Sequence, residues 1–253
     1  MHLILTGATG LVGSGVLDAM LAMKEVTKIS ILSRRPVQMA EDAQDPRVKV
    51  IIHQDFETYD PTVLSQLQGA TGCVWALGIS QTKVDKDEYL KITKTYALEA
   101  AKAFQSLPSP TQSFHFVYVS GAGATTKPGF FASLFARVKG ETEVELAQLR
   151  RQSPLFRASS VRPAFVDCAH HGAIKKYLPP RPAYETLLRP LGPVMRGMAP
   201  GLCSPTEHLG RFLTEMAMGR YEDRLVGGKD VQMVGEMPIL ENTAFRRLAG
   251  LSS

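Results

Sequence analysis

Cysteine is scarce in this chain. Its 253 residues hold three, Cys73, Cys168 and Cys203, far apart and odd in number. No CxxC pair occurs, which excludes a disulfide framework and a clustered zinc site and fits reduced thiols in a cytosolic-type compartment. No apolar run reaches membrane-spanning length, so no bilayer-crossing helix is expected. No signal-type stretch precedes the first apolar run, which starts at His2, and a cytoplasmic location is the expectation. Internal repeats and low-complexity tracts are absent. Basic residues exceed acidic ones by five, yet the tightest clusters are short pairs, Arg34–Arg35, Arg150–Arg151 and Lys175–Lys176. A nucleic-acid interface needs a clustered basic face, so this diffuse charge points to a small anionic ligand instead. With 44% hydrophobic and only 21% charged residues, the chain can bury a sizeable core and is not a disordered polymer.

What the chain does have is alternation. Apolar, β-branched runs at His2–Thr6, Lys28–Ser33, Val48–His53, Gly72–Leu77, Phe114–Ser120 and Phe156–Arg162 read as strands buried on both faces. Helical patterns fill the gaps: Leu11–Met23, a short helix opened by Asp60 and Pro61 and ending before Gly69, Asp87–Ser106, and Phe131–Arg151. Strand–helix alternation of this kind predicts an α/β fold, a doubly wound parallel sheet of Rossmann type. Residues 1–166 would form the core. Residues 167–253 would supply a small C-terminal substrate-covering region and closing helices within one domain. The Pro- and Gly-rich stretch Leu178–Pro205 is the candidate cover, with a plain connecting loop as the alternative. Ser204-Pro205-Thr206-Glu207 matches a capping box, predicting a helix over Pro205–Met218, and a last short helix is expected near Ile239–Leu248.

The most specific local signal follows the first strand. Gly7, Gly10 and Gly13 recur every three residues, with Thr9, Leu11 and Val12 between them and a helix beginning at Leu11. Strand, glycine turn and helix N-terminus in that order form a dinucleotide-binding fingerprint. The turn would bring backbone N–H groups and the positive end of the helix dipole to a pyrophosphate. The second strand ends Ser33-Arg34-Arg35, and no acidic residue appears until Glu41. An acidic residue near that strand end would grip ribose hydroxyls. A hydroxyl and two guanidiniums suit a 2′-phosphate instead, so NADP(H) is expected over NAD(H). Asp55 and Phe56, after the third strand, are candidates for the adenine pocket, and a loop Asp capping its own turn is the alternative. Ala76, Leu77 and Gly78 end the fourth strand with little bulk beside the ribose.

The segments Gly7–Gly13, Ala76–Gly78, Val119-Ser120-Gly121-Ala122, Val138-Lys139-Gly140-Glu141 and Val161-Arg162-Pro163 occur in that order. Over His2–Val166 the chain resembles the atypical, extended short-chain dehydrogenase/reductase superfamily, near its NmrA-like and Tat-interacting-protein-like branches. The tail matches loosely. The resemblance implies a Ser that orients a substrate oxygen, a Tyr that exchanges the proton, and a Lys that holds the nicotinamide ribose. Ser120 and Lys139 match the first and third. Pro163 and Phe165 fall where the superfamily lines the nicotinamide. The Tyr position holds Phe135, which has no proton to give. Three readings follow: a reductase that takes its proton elsewhere, a non-redox isomerase on the same scaffold, or an NADP-sensing regulator that binds a protein partner. His170 and His171 are candidate substitute acids, with plain loop histidines as the alternative. Tyr89 and Tyr96 are expected in the core, and His115 at the wrong end of its strand. No metal, membrane or nucleic-acid partner is expected. The helices around Asp87–Ser106 and Phe131–Arg151 are the expected faces of a homodimer.

Overall fold

The computed structural model describes residues 1–178 and 199–251. Eight strands form one sheet in the order β3-β2-β1-β4-β5-β6-β10-β9. They are β1 (His2–Thr6), β2 (Lys28–Ser33), β3 (Val48–Ile52), β4 (Gly72–Trp75), β5 (Phe114–Val119), β6 (Phe156–Arg162), β9 (Val231–Val234) and β10 (Met237–Glu241). All neighbours run parallel except β9 and β10. The strand order reverses between β1 and β4, so the crevice for a ligand opens beyond the C-terminal end of β1.

Helices cover both faces. On one side lie α1 (Leu11–Ala22), α7 (Thr206–Ala217) and α8 (Asn242–Leu248), packed on β1 and its neighbours through Val16, Leu17, Leu209, Phe212 and Phe245. The other side carries α3 (Pro61–Leu67), α5 (Tyr96–Phe104) and α6 (Leu134–Gln152), over Phe56, Trp75, Phe116 and Phe156. Among the described residues, the remaining α-helices are α2 (Gln38–Ala43) and α4 (Lys86–Leu90). A two-stranded parallel sheet, β7 (Phe165–Asp167) with β8 (Cys203–Pro205), sits beyond the end of β6.

Local rules explain most boundaries. Asp60 caps α3 by accepting the Thr62 and Val63 N–H groups, with Pro61 at the first helical position as expected. The helical pattern over Asp87–Ser106 forms α4 and α5 joined by a π-turn at Lys91–Thr95. The helix expected from Phe131 begins at Leu134, because Ser133 accepts the Ala136 N–H and caps it.

The tail departs further from expectation. The capping box at Ser204 does not form. Ser204 is buried in β8, where its hydroxyl donates to Asn242 Oδ1 at 2.6 Å and accepts the Ala164 N–H at 3.0 Å. Ile239–Glu241 is strand rather than helix, because Met237–Leu240 is buried on both faces between β6 and β9. Helix begins only at Asn242. Residues 179–198, the bulk of the candidate cover, lie outside the described residues.

One buried ion pair joins α6 to β6. Glu143, fully buried, accepts from Arg162 Nε at 3.1 Å and Nη2, and from the Ser160 hydroxyl at 2.8 Å. Arg162 Nη1 also donates to Glu241 at 2.7 Å. Removing one partner strands a charge in the interior. Arg162→Met is therefore expected to cost about 3–5 kcal/mol in urea unfolding, and Glu143→Met with Arg162→Met to recover most of that loss. Equal losses in single and double variants would disprove the coupling.

Candidate functional site

The glycine turn is built by close backbone contact. Gly7 has φ +71°, and a Cβ there would lie 2.3 Å from the Ala76 carbonyl oxygen beyond β4. A Cβ on Gly13 would lie 2.0 Å from the Gly7 carbonyl oxygen. Only glycine permits both the dihedral and the approach. The Gly10 N–H donates to Gly7 O at 2.9 Å, closing the turn. Helix α1 then starts with no side-chain cap and no acidic residue in its first turn. Its first N–H groups, those of Leu11, Val12 and Gly13, thus keep the positive end of the helix dipole unneutralised, the arrangement that suits a phosphate.

Arginine reaches this turn from the next strand. Arg35 Nη2 donates to Thr9 Oγ1 at 3.4 Å, and the Ser33 hydroxyl accepts the Arg35 N–H at 3.3 Å. Arg34 is exposed, its carbonyl taken by Gln54, and its guanidinium makes no ion pair among the described residues. Thr9, Arg34 and Arg35 therefore share the mouth of the crevice at the end of β2. Leu77 joins the turn, its N–H donating to Thr6 Oγ1 at 3.3 Å, and Ala76 and Gly78 flank it beyond β4. Asp55 behaves as a turn residue: it accepts the Glu57 N–H and the Thr58 hydroxyl, which hold its carboxyl below the usual range. The Phe56 ring is fully buried against His53, Trp75 and Tyr96. It belongs to the core and cannot line an adenine pocket, because the apolar face of β3 and β4 claims it.

The second half of the site forms where β5 ends. Ser120 is buried, and its hydroxyl has no hydrogen-bond partner among the described residues. An unpaired buried hydroxyl carries a penalty of about 1–3 kcal/mol, so its retention argues for a ligand that completes it. The Phe135 ring lies against Gly121, where a Cβ would be 2.8 Å from the ring's Cζ. Phe135 thus occupies the flank of Ser120. Lys139, one helical turn on, is buried, donates from Nζ to the Val119 carbonyl at 2.9 Å and lies 4.7 Å from the centre of the Tyr118 ring. Burial pulls its pKa down from 10.5 to about 8, with the Glu143 carboxylate opposing the shift. Pro163 is buried, its carbonyl accepting the Ala122 N–H at 2.9 Å, and Phe165 is exposed on β7.

The substitute acids fall away. His171 is buried between Asp18 of α1 (3.0 Å) and the Thr206 hydroxyl (2.9 Å), so it clamps the tail onto α1. It is a buried clamp where an exposed loop histidine was the plain expectation; His170 is exposed. Tyr89 is buried, and Tyr96 packs on Phe56. His115 lies at the opposite end of the sheet, lining a hollow of about 190 Å³ with Arg150, Arg157, Glu222 and Glu236. That hollow contains none of the glycine-turn or Ser120 residues, which gather at the opposite, C-terminal end of the parallel strands. Sequence reading missed Gln81, whose side-chain oxygen accepts the Phe135 N–H at 2.9 Å and ties the loop after β4 to the start of α6. A lone glutamine in a loop carries no signal for that role. Among the described residues no group of His, Cys, Asp and Glu could hold a metal.

With this geometry in view, comparison with known proteins is informative. Botcinic acid biosynthesis cluster B protein 16 of Botryotinia fuckeliana is 46% identical over 158 residues, 62% of this chain and 99% of that protein. Leucinostatins biosynthesis cluster protein T of Purpureocillium lilacinum is 33% identical over 258 residues, 94% of this chain and 90% of that protein. The chain is of one family with these two proteins. No family model matches it. Among solved structures, the reductase domain of PhqB from Penicillium fellutanum has a TM-score of 0.64 at 14% identity, covering 95% of this chain and 66% of that one. The Bordetella bronchiseptica enzyme WbmF, in complex with NAD+, has a TM-score of 0.64 at 14% identity, covering 100% of this chain and 79% of that one. At such identities these likenesses speak to fold.

Lys139 gives a signed stability prediction. Its folded pKa lies below its unfolded value, so the unfolded chain holds the extra proton between about pH 8 and 10.5. The penalty is fully present below pH 8 and fades as pH rises through that window. Lys139→Met is therefore expected to stabilise the fold by about 1–2 kcal/mol at pH 7 and by clearly less at pH 10. A gain that does not change with pH would show that the ammonium is not the source of the strain.

Proposed function

We propose that this chain is an NADP(H)-dependent reductase acting on a small carbonyl-type substrate. The observation that carries the reading is the pairing of two features at the C-terminal end of the parallel strands. The buried Lys139 ammonium and the unpartnered Ser120 hydroxyl close the end of β5, and an uncapped, glycine-built helix N-terminus closes the end of β1. The residues present fit a bound dinucleotide. Gly7, Gly10 and Gly13, with the N–H groups of Leu11 and Val12, would hold the pyrophosphate, and Thr9, Ser33, Arg34 and Arg35 the 2′-phosphate. Ala76, Leu77 and Gly78 would leave room for the ribose, and Asp55 and the Phe56 backbone would border the adenine. Pro163 and Phe165 would flank the nicotinamide. Such a cofactor, when bound, supplies a hydride.

The chain's own residues do the rest. Ser120 orients the substrate oxygen, since its hydroxyl has nothing else to bond. Lys139 holds ribose hydroxyls and adds positive charge beside a developing alkoxide. Phe135 excludes water from that flank and transfers no proton, so the proton reaches the oxygen from Ser120 or from water. WbmF with NAD+ and the PhqB reductase domain support a nicotinamide cofactor and reductase chemistry by their likeness in fold. The choice of NADP(H) rests on the arginine pair, and the placement near the NmrA-like branch rests on the motif set alone. A reducing, cytoplasmic setting rests on the scarcity and wide spacing of cysteine in the sequence. A second reading, an NADP-sensing regulator without turnover, is favoured by the one fact that Phe135 stands where a proton donor is needed.

Two measurements test these readings. Purified protein with NADPH and a panel of carbonyl compounds is expected to consume the reduced cofactor slowly, and Phe135→Tyr to raise the rate by about 10²–10⁴, the usual contribution of a positioned acid. Micromolar NADPH binding with no turnover in either form would select the regulator. For cofactor choice, Arg34→Ala with Arg35→Ala should weaken NADPH about 10- to 100-fold and leave NADH nearly unchanged. Equal losses for both would reject the NADP(H) assignment.

A further inference from the structure

Two phenylalanines stand almost wholly in water beside the site. Phe130 and Phe131 are 91% and 95% exposed, edge to face with ring centres 5.1 Å apart. They end the loop that leaves Ser120 and lie just before Ser133, the cap of α6, and Phe135, the ring against Gly121. A second apolar pair stands on the other segment that leaves this sheet edge. Phe165 is 46% exposed on β7, and Leu202, 55% exposed, immediately precedes the Cys203 that pairs with it. The Ala122 N–H to Pro163 carbonyl bond ties the two segments together at their roots. Ser204 and Asn242 anchor the second by bonding the Ala164 N–H. Among the described residues these two segments carry little charge. Residues 121–133 carry only Lys127, and 163–167 only Asp167, whose carboxylate accepts the Ala169 N–H. Large exposed apolar groups on two segments so joined mark a surface that something apolar covers.

We infer that the substrate of this site bears a long apolar chain or ring system, received by Phe130 and Phe131 on one side and Phe165 and Leu202 on the other, with its polar end at Ser120. The inference rests on the reductase reading for where the polar end goes. It adds that affinity comes from apolar contact at the rim and not from charge recognition. Phe135 fits this: a phenyl face in place of a phenol extends the same apolar wall to the reacting group.

The test uses the whole protein and the double variant Phe130→Ser with Phe131→Ser, whose side chains are in water and whose fold should be unchanged by circular dichroism. Binding of decanol, read by its displacement of a fluorescent apolar dye, is expected to weaken about tenfold or more in the variant, with NADPH affinity unchanged. With NADPH, decanal should show a far lower KM than propanal in the wild type, and the variant should lose that preference. Decanol binding that is equal in both proteins, or a preference for propanal or pyruvate, would overturn the inference. Decanol bound by a protein that does not bind NADPH would uphold the apolar rim and defeat the reductase reading. Co-sedimentation with phosphatidylcholine vesicles, abolished in the variant while decanol affinity stays the same, would assign the rings to a lipid surface and overturn the inference.

Discussion

A single stripe along α6 fixes the relation between the helix, the sheet and the site. Phe135, Lys139 and Glu143 recur every four residues and so share one face. Phe135 meets Gly121, Lys139 meets the Val119 carbonyl, and Glu143 meets Ser160 and Arg162. The helix is thereby registered on β5 and β6 by three contacts of different kind: a ring on a glycine, an ammonium on a carbonyl, and a fully buried ion pair. The ion pair is the stiffest of these, because sliding α6 along the sheet would expose two charges to an interior that cannot solvate them. The same pair assists the lysine. The Glu143 carboxylate opposes the fall in the Lys139 pKa that burial causes, and so keeps an ammonium at the end of β5 near neutral pH.

The glycine turn answers from the other side of the switch point. Its geometry is set by backbone crowding against Ala76 and within the turn itself, and by the absence of any side chain to satisfy the first N–H groups of α1. These two halves depend on the sheet and not on each other. Under the proposed function a change at position 135 would therefore alter the proton supply without disturbing the glycine turn that faces the pyrophosphate.

Much of this was legible in the sequence, because local chemistry wrote it. Asp60 and Pro61 announced α3, the β-branched runs announced the six parallel core strands, and the glycine spacing announced the turn. What failed to show was long-range. Ser204 and Glu207 have the spacing of a capping box, yet Ser204 bonds Asn242 and Ala164, residues distant in the chain. Ile239–Glu241 has an apolar pattern that suits helix or strand, and only its place between β6 and β9 decides. Phe56 sits beside a plausible adenine ligand, but its ring is drawn into the core by Trp75 and Tyr96. His171 read as a loop residue because its partners, Asp18 and Thr206, are 153 and 35 positions away.

The retained lysine is the sharpest argument against a relic. Holding an ammonium inside a protein is costly, and among the described residues Lys139 has no carboxylate in direct contact to offset it, only a carbonyl and an aromatic face. Ser120 adds a second uncompensated group a residue beyond that carbonyl. A fold serving structure alone would gain stability by replacing either, since apolar side chains of similar volume would remove both penalties. Two such penalties meeting at one strand end, with a phenylalanine rather than a polar group between them and the solvent, describe a site that expects its hydrogen-bond partners from a ligand. Under the proposed function the missing phenol would change the source of the proton and the polarity of the wall, and would leave the demand for a bound oxygen where it was.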